Sequence, residues 1–160
     1  MNVSDIMSRN LVTVHRSATV GQTARLMLDQ GLSGVPVVDA TGRLLGMVTE
    51  EDLVAKHAQV HLPRYFAILG TLLPLPSRRD DDEMRHILGV TAGELMNDDP
   101  VTIEPTKSID EAASLMIERH VNPVPVLDGG NLVGIISHSD IIKILLVEEE
   151  DGSDDGSPTE

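Results

Sequence analysis

The sequence predicts a mixed α/β chain built from two copies of one compact subdomain, and three observations predict it. Residues Met7 to Asp52 recur as Met96 to Asp140, at an offset of 89 that becomes 88 after a one-residue deletion in a turn. The first copy reads Met7, Val12-Thr13, Ala24, Leu26-Met27, Val35-Pro36-Val37, Asp39, Leu44, Gly46, Thr49 and Asp52. The second answers with Met96, Val101-Thr102, Ala113, Leu115-Met116, Val124-Pro125-Val126, Asp128, Leu132, Gly134, Ser137 and Asp140. Such a period exceeds the roughly 20 to 50 residues of a solenoid unit, so duplication of a whole subdomain is indicated. Within each copy, helical spacing alternates with short apolar runs of strand character. The length of 160 residues then suits two small halves that share a core.

Each copy reads as a helical lead-in, a strand, a helix, two strands and a last helix. Thr19-Val20-Gly21-Gln22 and Ser108-Ile109-Asp110-Glu111 have the hydroxyl and the Gln or Glu of a capping box, which satisfies the free amides at a helix start. The helices that follow, to about Gln30 and Arg119, predict an apolar face of Ala24, Met27 and Leu28, or of Ala113, Met116 and Ile117. Val35 to Val38 and Val124 to Leu127 are short strands. The turns Asp39-Ala40-Thr41-Gly42 and Asp128-Gly129-Gly130 fold them back on Leu44 to Val48 and Leu132 to Ile136 as hairpins. Pro36 and Pro125 lack a ladder donor, which predicts a place near an edge or a bulge.

These patterns divide the chain into a first repeat at 1–58, an insert at 59–90, a second repeat at 91–147 and an acidic tail at 148–160. The insert holds the only aromatics, Tyr65 and Phe66, then an apolar run, a Pro74-Leu75-Pro76 break and a charged stretch from Arg79 to Leu88. One or two helices are expected there, packing over a sheet edge or offering a partner surface. The tail, rich in Gly, Ser and Asp, reads as disordered.

Formal charge is −14, half of it in the tail, so a nucleic-acid role built on counterion release is not expected. No run approaches the roughly 18 apolar residues of a membrane helix, and the start lacks a secretory pattern, so a cytoplasmic protein without membrane association is expected. The absence of cysteine excludes disulfides and thiolate metal sites. His57 and His61 share a helical face at i, i+4, but no Glu follows His57 and Pro63 soon intervenes, so no metal site is expected. Ser137 lacks the signature of a nucleophile elbow, and no catalytic residues are expected.

The most telling duplicated stretches are Gly46-Met47-Val48-Thr49-Glu50-Glu51-Asp52 and Gly134-Ile135-Ile136-Ser137-His138-Ser139-Asp140. In each a strand ends, a hydroxyl appears, and an Asp three residues on opens an apolar-periodic helix. Such a pair can cap the helix. The same pair at a helix start can also hold a ligand, and duplication does not choose between the two.

The ordered set of an apolar strand x-P-V/L-V/L-D, a hairpin, G-h-h-S/T-x-x-D and a helix resembles the CBS domain, and two in tandem resemble a Bateman module. The resemblance covers nearly all of residues 3 to 57 and 92 to 147. It implies two β-α-β-β-α subdomains packed sheet to sheet, clefts that bind an adenosyl ligand, and dimerisation into a disk. An aspartate at a helix start can accept both hydroxyls of a ribose diol, the neighbouring Ser or Thr can reach ribose or phosphate, and helix amides favour phosphate. Similarity to AMP-binding members implies a preferred cleft of Ser137, Ser139 and Asp140, with Ile135 beneath the base, facing Leu11, Val12, Leu32 and Ser33. The second cleft sets Met47, Thr49 and Asp52 against Pro100, Val101, Val121 and Asn122. Glu51 stands where the first has Ser139 and would repel phosphate unless a divalent cation such as Mg bridged them, so the Asp140 cleft ranks first.

Where some nucleotide-binding relatives place a cation before the hairpin, this chain has Ser33-Gly34 and Asn122-Pro123. His15, Arg16, Lys107 and His138 are the substitutes in view. AMP, ADP, ATP, adenosine and S-adenosylmethionine all stay open as ligands. The expected function is a stand-alone, non-catalytic regulatory module that signals to another protein, as a homodimer. The alternative is a structural dimerisation or interaction module in which the duplicated pairs only cap helices.

Overall fold

The computed structural model describes residues 1–61, 65–68, 71–74 and 89–152. They form a mixed α/β fold in two compact units. One consists of Met1–Val12, Gly42–Leu44 and Asp99–Glu160, and is called unit 1 here; unit 2 consists of Thr13–Thr41 and Leu45–Asp98.

Unit 2 carries β1 (Val14–His15), α2 (Val20–Gln30), β2 (Gly34–Val38), β3 (Leu44–Thr49), α3 (Glu50–His61), the hairpin β4 (Tyr65–Ile68) and β5 (Thr71–Pro74), and α4 (Ala92–Leu95). The sheet order is β1-β2-β3, with β1 parallel to β2 so that Val14 meets Val37 and His15 meets Val38. All five residues of β2 are buried, as the near-continuous apolar run demands. Thr19 opens α2 by accepting from the Gln22 amide while Gln22 accepts from the Thr19 amide, and Gly31 closes it at φ 64°. Val14, Met27, Val35, Val37, Val48 and Ala92 form the core.

Unit 1 carries α1 (Val3–Ile6), α5 (Ile109–Arg119), β6 (Val124–Asp128), β7 (Asn131–Ile136) and α6 (His138–Gly152). Strands β6 and β7 are antiparallel from Val124 opposite Ile136 to Asp128 opposite Asn131, with an irregularity between Val126 and Leu127. Ile103 takes the place that β1 has in unit 2: its amide donates to the Pro125 carbonyl and its carbonyl accepts from the Leu127 amide. Val3, Met7, Ile103, Ala112, Met116, Val124, Val126 and Ile136 form this core.

Five features differ from what the sequence predicts. Val3 and Met7 open the first repeat yet lie in the core of unit 1, while Ala92, Leu95 and Met96, which open the second, pack in unit 2. The compact units therefore exchange the lead-in segments of the two repeats. The cause is visible at two glycines. A Cβ on Gly134 would collide with Met7 Sδ, and one on Gly46 would collide with the Asn97 carbonyl oxygen and lie 2.7 Å from Met96 Sδ. Each methionine seats in the groove left by the other repeat's glycine.

The buried stripe of the long helices is also rotated from the expected face. Val20, Thr23 and Met27 are buried on α2, and Ala112 and Met116 on α5, while Leu28 and Ile117 are exposed. Thr23 is admitted to the interior because its hydroxyl donates to the Thr19 carbonyl at 2.9 Å. The insert, expected to be helical, contains the β4–β5 hairpin, with Tyr65 opposite Pro74 and Ile68 opposite Thr71. Aromatic and β-branched residues in runs this short favour strands, and periodicity alone does not separate the two states. The expected helix at 79–88 lies outside the described residues. Helix α6 continues to Gly152, so residues 148–152 of the expected disordered tail are helical, in keeping with the helix propensity of glutamate. Finally, β2 is a central strand despite Pro36; β1 reaches only Val37 and Val38, so the proline has no β1 partner to disappoint.

Candidate functional site

The two duplicated turns close in the same way. At the start of α3, Asp52 Oδ2 accepts from the Thr49 amide at 2.8 Å and from the Thr49 hydroxyl at 2.9 Å. At the start of α6, Asp140 Oδ2 accepts from the Ser137 amide at 2.8 Å and from the Ser137 hydroxyl at 2.7 Å. Both arrangements are half-buried. The same box, with Glu or Gln as the third residue, opens α2, α4 and α5 on the exposed surface. Capping is thus an established role of Asp52 and Asp140, and it occupies one carboxylate oxygen of each.

The box does not exhaust the group. A carboxylate offers about four lone-pair sites on two oxygens, and only Oδ2 is drawn into the turn. Asp140 Oδ1 faces Lys143 Nζ at 3.5 Å, with the lysine side chain 74% exposed and the aspartate 16%. An ion pair so open on one side is weak and readily displaced. The hydroxyls, in contrast, have their protons committed to Oδ2, so Ser137 and Thr49 can offer only acceptor lone pairs while the box is closed.

The loop ahead of each hairpin meets the turn that ends the same hairpin. The Glu50 amide donates to the Ser33 carbonyl at 3.0 Å, and the His138 amide donates to Asn122 Oδ1 at 2.9 Å. The resemblance implied a grouping across the repeats, with Ser33 beside Asp140 and Asn122 beside Asp52; these bonds are a separate pairing within each repeat. Antiparallel pairing explains the observed one in unit 1, because Val124 at the start of β6 lies opposite Ile136 at the end of β7. These bonds also take up the first amide of each helix, which were expected to meet a phosphate.

The remaining expected residues fall as follows. Unit 1 holds Leu11, Val12, Pro100, Val101, Val121, Asn122, Ile135, Ser137, Ser139 and Asp140; unit 2 holds Leu32, Ser33, Met47, Thr49 and Asp52. Leu11, Val12, Pro100, Val101 and Ile135 are half-buried, Ser139 is exposed, and Met47 is buried, its backbone paired with Asn97. Leu32 and Val121 lean on their own units' cores. Of the residues considered for gripping phosphate, Lys107 is held by Glu111 at 2.8 Å and His15 Nδ1 by the Ser17 hydroxyl at 2.7 Å. Lys143 was not singled out from the sequence; its spacing of three from Asp140 on a helix is the signal that marks it. A cavity of about 1070 Å³ in unit 1 runs along α5; of the residues singled out from the sequence only Lys107 lines it, and none of the cleft residues does. Among the described residues there is no cluster of side chains fit to hold a metal ion, and no helix long and apolar enough to cross a membrane.

The family model of the CBS domain matches residues 3–58 and 92–147. The chain belongs to the CBS domain family. It is 32% identical over 143 residues to the uncharacterized protein MJ1404 of Methanocaldococcus jannaschii, covering 89% of this chain but only 31% of that one. Two solved CBS structures have the same fold. CBSX2 in complex with AMP superposes with a TM-score of 0.69 at 23% identity, covering 92% of this chain and 98% of its own. The CBS domain pair of MJ0100, in complex with 5'-methylthioadenosine and S-adenosyl-L-methionine, superposes with a TM-score of 0.71 at 22% identity, covering 92% and 98%.

Proposed function

We propose that this CBS protein is a regulatory module that binds an adenosyl ligand at its strand-to-helix turns and transmits the bound state to a partner protein. The observation that carries the reading is the duplicated, half-buried Asp whose Oδ2 is fixed by a cap while Oδ1 stays outside it. A carboxylate held in place beforehand loses little freedom on meeting a ribose diol, which favours affinity. AMP, 5'-methylthioadenosine and S-adenosylmethionine differ in what hangs from the ribose and share the adenosyl group. That shared part is what a turn with its first amide already occupied is suited to read. Phosphate recognition is secondary and falls to Lys143 at the Asp140 turn.

We group the ligand-binding residues by repeat, following the bonds within each. Asn122, Val121, Ile135, Ser137, Ser139 and Asp140 make the preferred site, and Ser33, Leu32, Met47, Thr49 and Asp52 the weaker one, where Glu51 opposes phosphate. The protein works without catalysis, as a homodimer, and a ligand acts by favouring one arrangement of the module over another. The closed caps also fit the purely structural alternative, and a thermal-shift series separates the two. Adenosine, AMP, ATP, S-adenosylmethionine and guanosine are compared at millimolar concentration. Ligand at 100 times its Kd stabilises the native state by about 2.7 kcal/mol. A rise with the adenosyl compounds and none with guanosine supports sensing; no rise with any of them leaves only the structural role.

A further inference from the structure

The cavity of about 1070 Å³ in unit 1 is lined by α5, by the segment 102–104 and by the turn at Gly129-Gly130, and it belongs to neither ligand site proposed above. Its floor is aliphatic: Ile103 is buried, and Leu115 and Leu127 are half-buried. Its rim is acidic. Glu111 is paired with Lys107, while Glu104, Asp110 and Glu118 are exposed and have no ion pair among the described residues. The cavity also takes in a sheet edge. Ile103 spends its amide and its carbonyl on β6, so the Thr102 carbonyl and the Glu104 amide point the opposite way, and neither is bonded within the described residues.

The duplication supplies an internal reference. The same positions of the first repeat keep the aliphatic floor as Val14, Leu26 and Val38, and Asp29 answers Glu118. Ala18 and Gln22 stand where the second repeat has the Lys107–Glu111 pair, which adds no net charge. The rest of the rim differs, with His15, Gly21 and Arg25 in place of Glu104, Asp110 and Ser114. The acidity of this cavity is therefore a property of the second copy and not the general excess of carboxylates in the chain.

We infer that this cavity docks the partner protein, through an extended segment that carries basic residues at i and i+4 and an aliphatic residue midway between them. This rests on the regulatory reading above and gives its partner a chemistry. Asp110 and Glu118 lie at i and i+8 on one helix, about 12 Å apart along its axis. Residues i and i+4 of an extended chain are about 13 Å apart and share a face with i+2. Such a segment sets a cation on each carboxylate while its middle side chain covers the aliphatic floor, and its backbone meets the Thr102 carbonyl and the Glu104 amide as an added strand. A segment that is only basic leaves the floor uncovered, and a small organic cation leaves the sheet edge unused as well.

The probe is a fluorescent peptide with the core Arg-Ser-Leu-Ser-Arg, titrated with the full chain and read by anisotropy. The expected result is saturable binding with a Kd below about 1 mM. Affinity should fall by about tenfold or more in the double variant Asp110→Asn, Glu118→Gln, and likewise in Ser114→Arg, which puts a cation on the rim as the first repeat does. All three changes are on the surface, and unchanged melting temperatures show that the variants fold. A shuffled core, Arg-Arg-Ser-Leu-Ser, or a core with Ser in place of Leu, should bind far more weakly. Equal binding of either reduces the contact to unspecific charge attraction and overturns the proposal. So do an absence of binding, affinity that the variants leave unchanged, and full displacement by an equal concentration of spermidine, which marks a small-cation site. Thermal shift with adenosine reads the ligand sites separately: a shift without peptide binding removes this docking site alone, and peptide binding without a shift removes the adenosyl ligand alone.

Discussion

Around Asp52 the turn reads Thr49-Glu50-Glu51-Asp52 and the helix continues with Ala55; around Asp140 it reads Ser137-His138-Ser139-Asp140 and the helix continues with Lys143. The hydrogen bonds inside the two turns agree within 0.2 Å, at 2.8 and 2.9 Å in one and 2.8 and 2.7 Å in the other. The backbone and cap are the shared inheritance of the duplication, while the charge placed around them has diverged. One turn carries three carboxylates in a row, and the other carries one carboxylate with a lysine beside its second oxygen. On the proposed function, capping and ligand binding would compete less than the sequence suggests, because they would call on different oxygens of the same residue.

The largest effect is expected where the two units differ in how their glycines are enclosed. Gly46→Ala forces a Cβ against a backbone carbonyl and should cost about 3 kcal/mol, the upper end for overpacking. Gly134→Ala meets only the Met7 side chain, along its Sδ, Cγ and Cβ, which can give where a backbone carbonyl cannot, and should cost about 1 kcal/mol. Urea unfolding measures both, and equal losses would show that the exchanged lead-in segments are held alike. Next comes affinity. Asp140→Ala should weaken adenosine binding by about 2 kcal/mol, the range of hydrogen bonds to a charged group, and Asp52→Ala should weaken it less. Each also removes a cap, for a stability loss of about 1 kcal/mol apiece. Calorimetric titration alongside denaturation separates the two, and equal affinity losses would erase the ranking of the sites.

A smaller change follows Lys143→Ala, which should reduce affinity for AMP while leaving adenosine binding as it was; a parallel loss for both would assign Lys143 a structural role. The smallest concerns the exposed cap of α5. The Lys107 ammonium and the Ser108 amide hold the Glu111 carboxyl down at about 2. A depressed acid stabilises the fold above its unfolded value, near 4.3, and that contribution is lost as pH falls through about 2. Lys107→Ala should raise the Glu111 pKa towards the ordinary range, as NMR titration of the carboxyl carbon would show. Stability should hardly move, because the pair is on the surface.

Much of the fold was legible because duplication doubled every signal. Both capping boxes, the helix ends at Gln30 and Arg119, and the hairpin turns at Gly42 and Gly130 appear where the residue types place them. The rotation of α2 and α5 was not legible, since Leu28 and Ile117 are as apolar as core residues, while the buried stripe includes the polar Thr23 and the small Ala112. The exchange of Met7 and Met96 was hidden for a different reason: sequence proximity says nothing about which glycine groove a lead-in residue fills. At the site, the residue types were readable, while the bonds that each makes within its own repeat were not. That Asn122 meets His138 depends on strand pairing, and which oxygen of Asp140 the cap takes depends on how the carboxylate is turned.

The most direct test of the proposed division of Asp140 between cap and ligand is a crystal structure of the protein soaked with adenosine. Asp140 Oδ2 should remain on the Ser137 amide while Oδ1 leaves Lys143 and accepts from the ribose hydroxyls. Adenosine bound elsewhere, with Oδ1 still facing Lys143, would contradict the account.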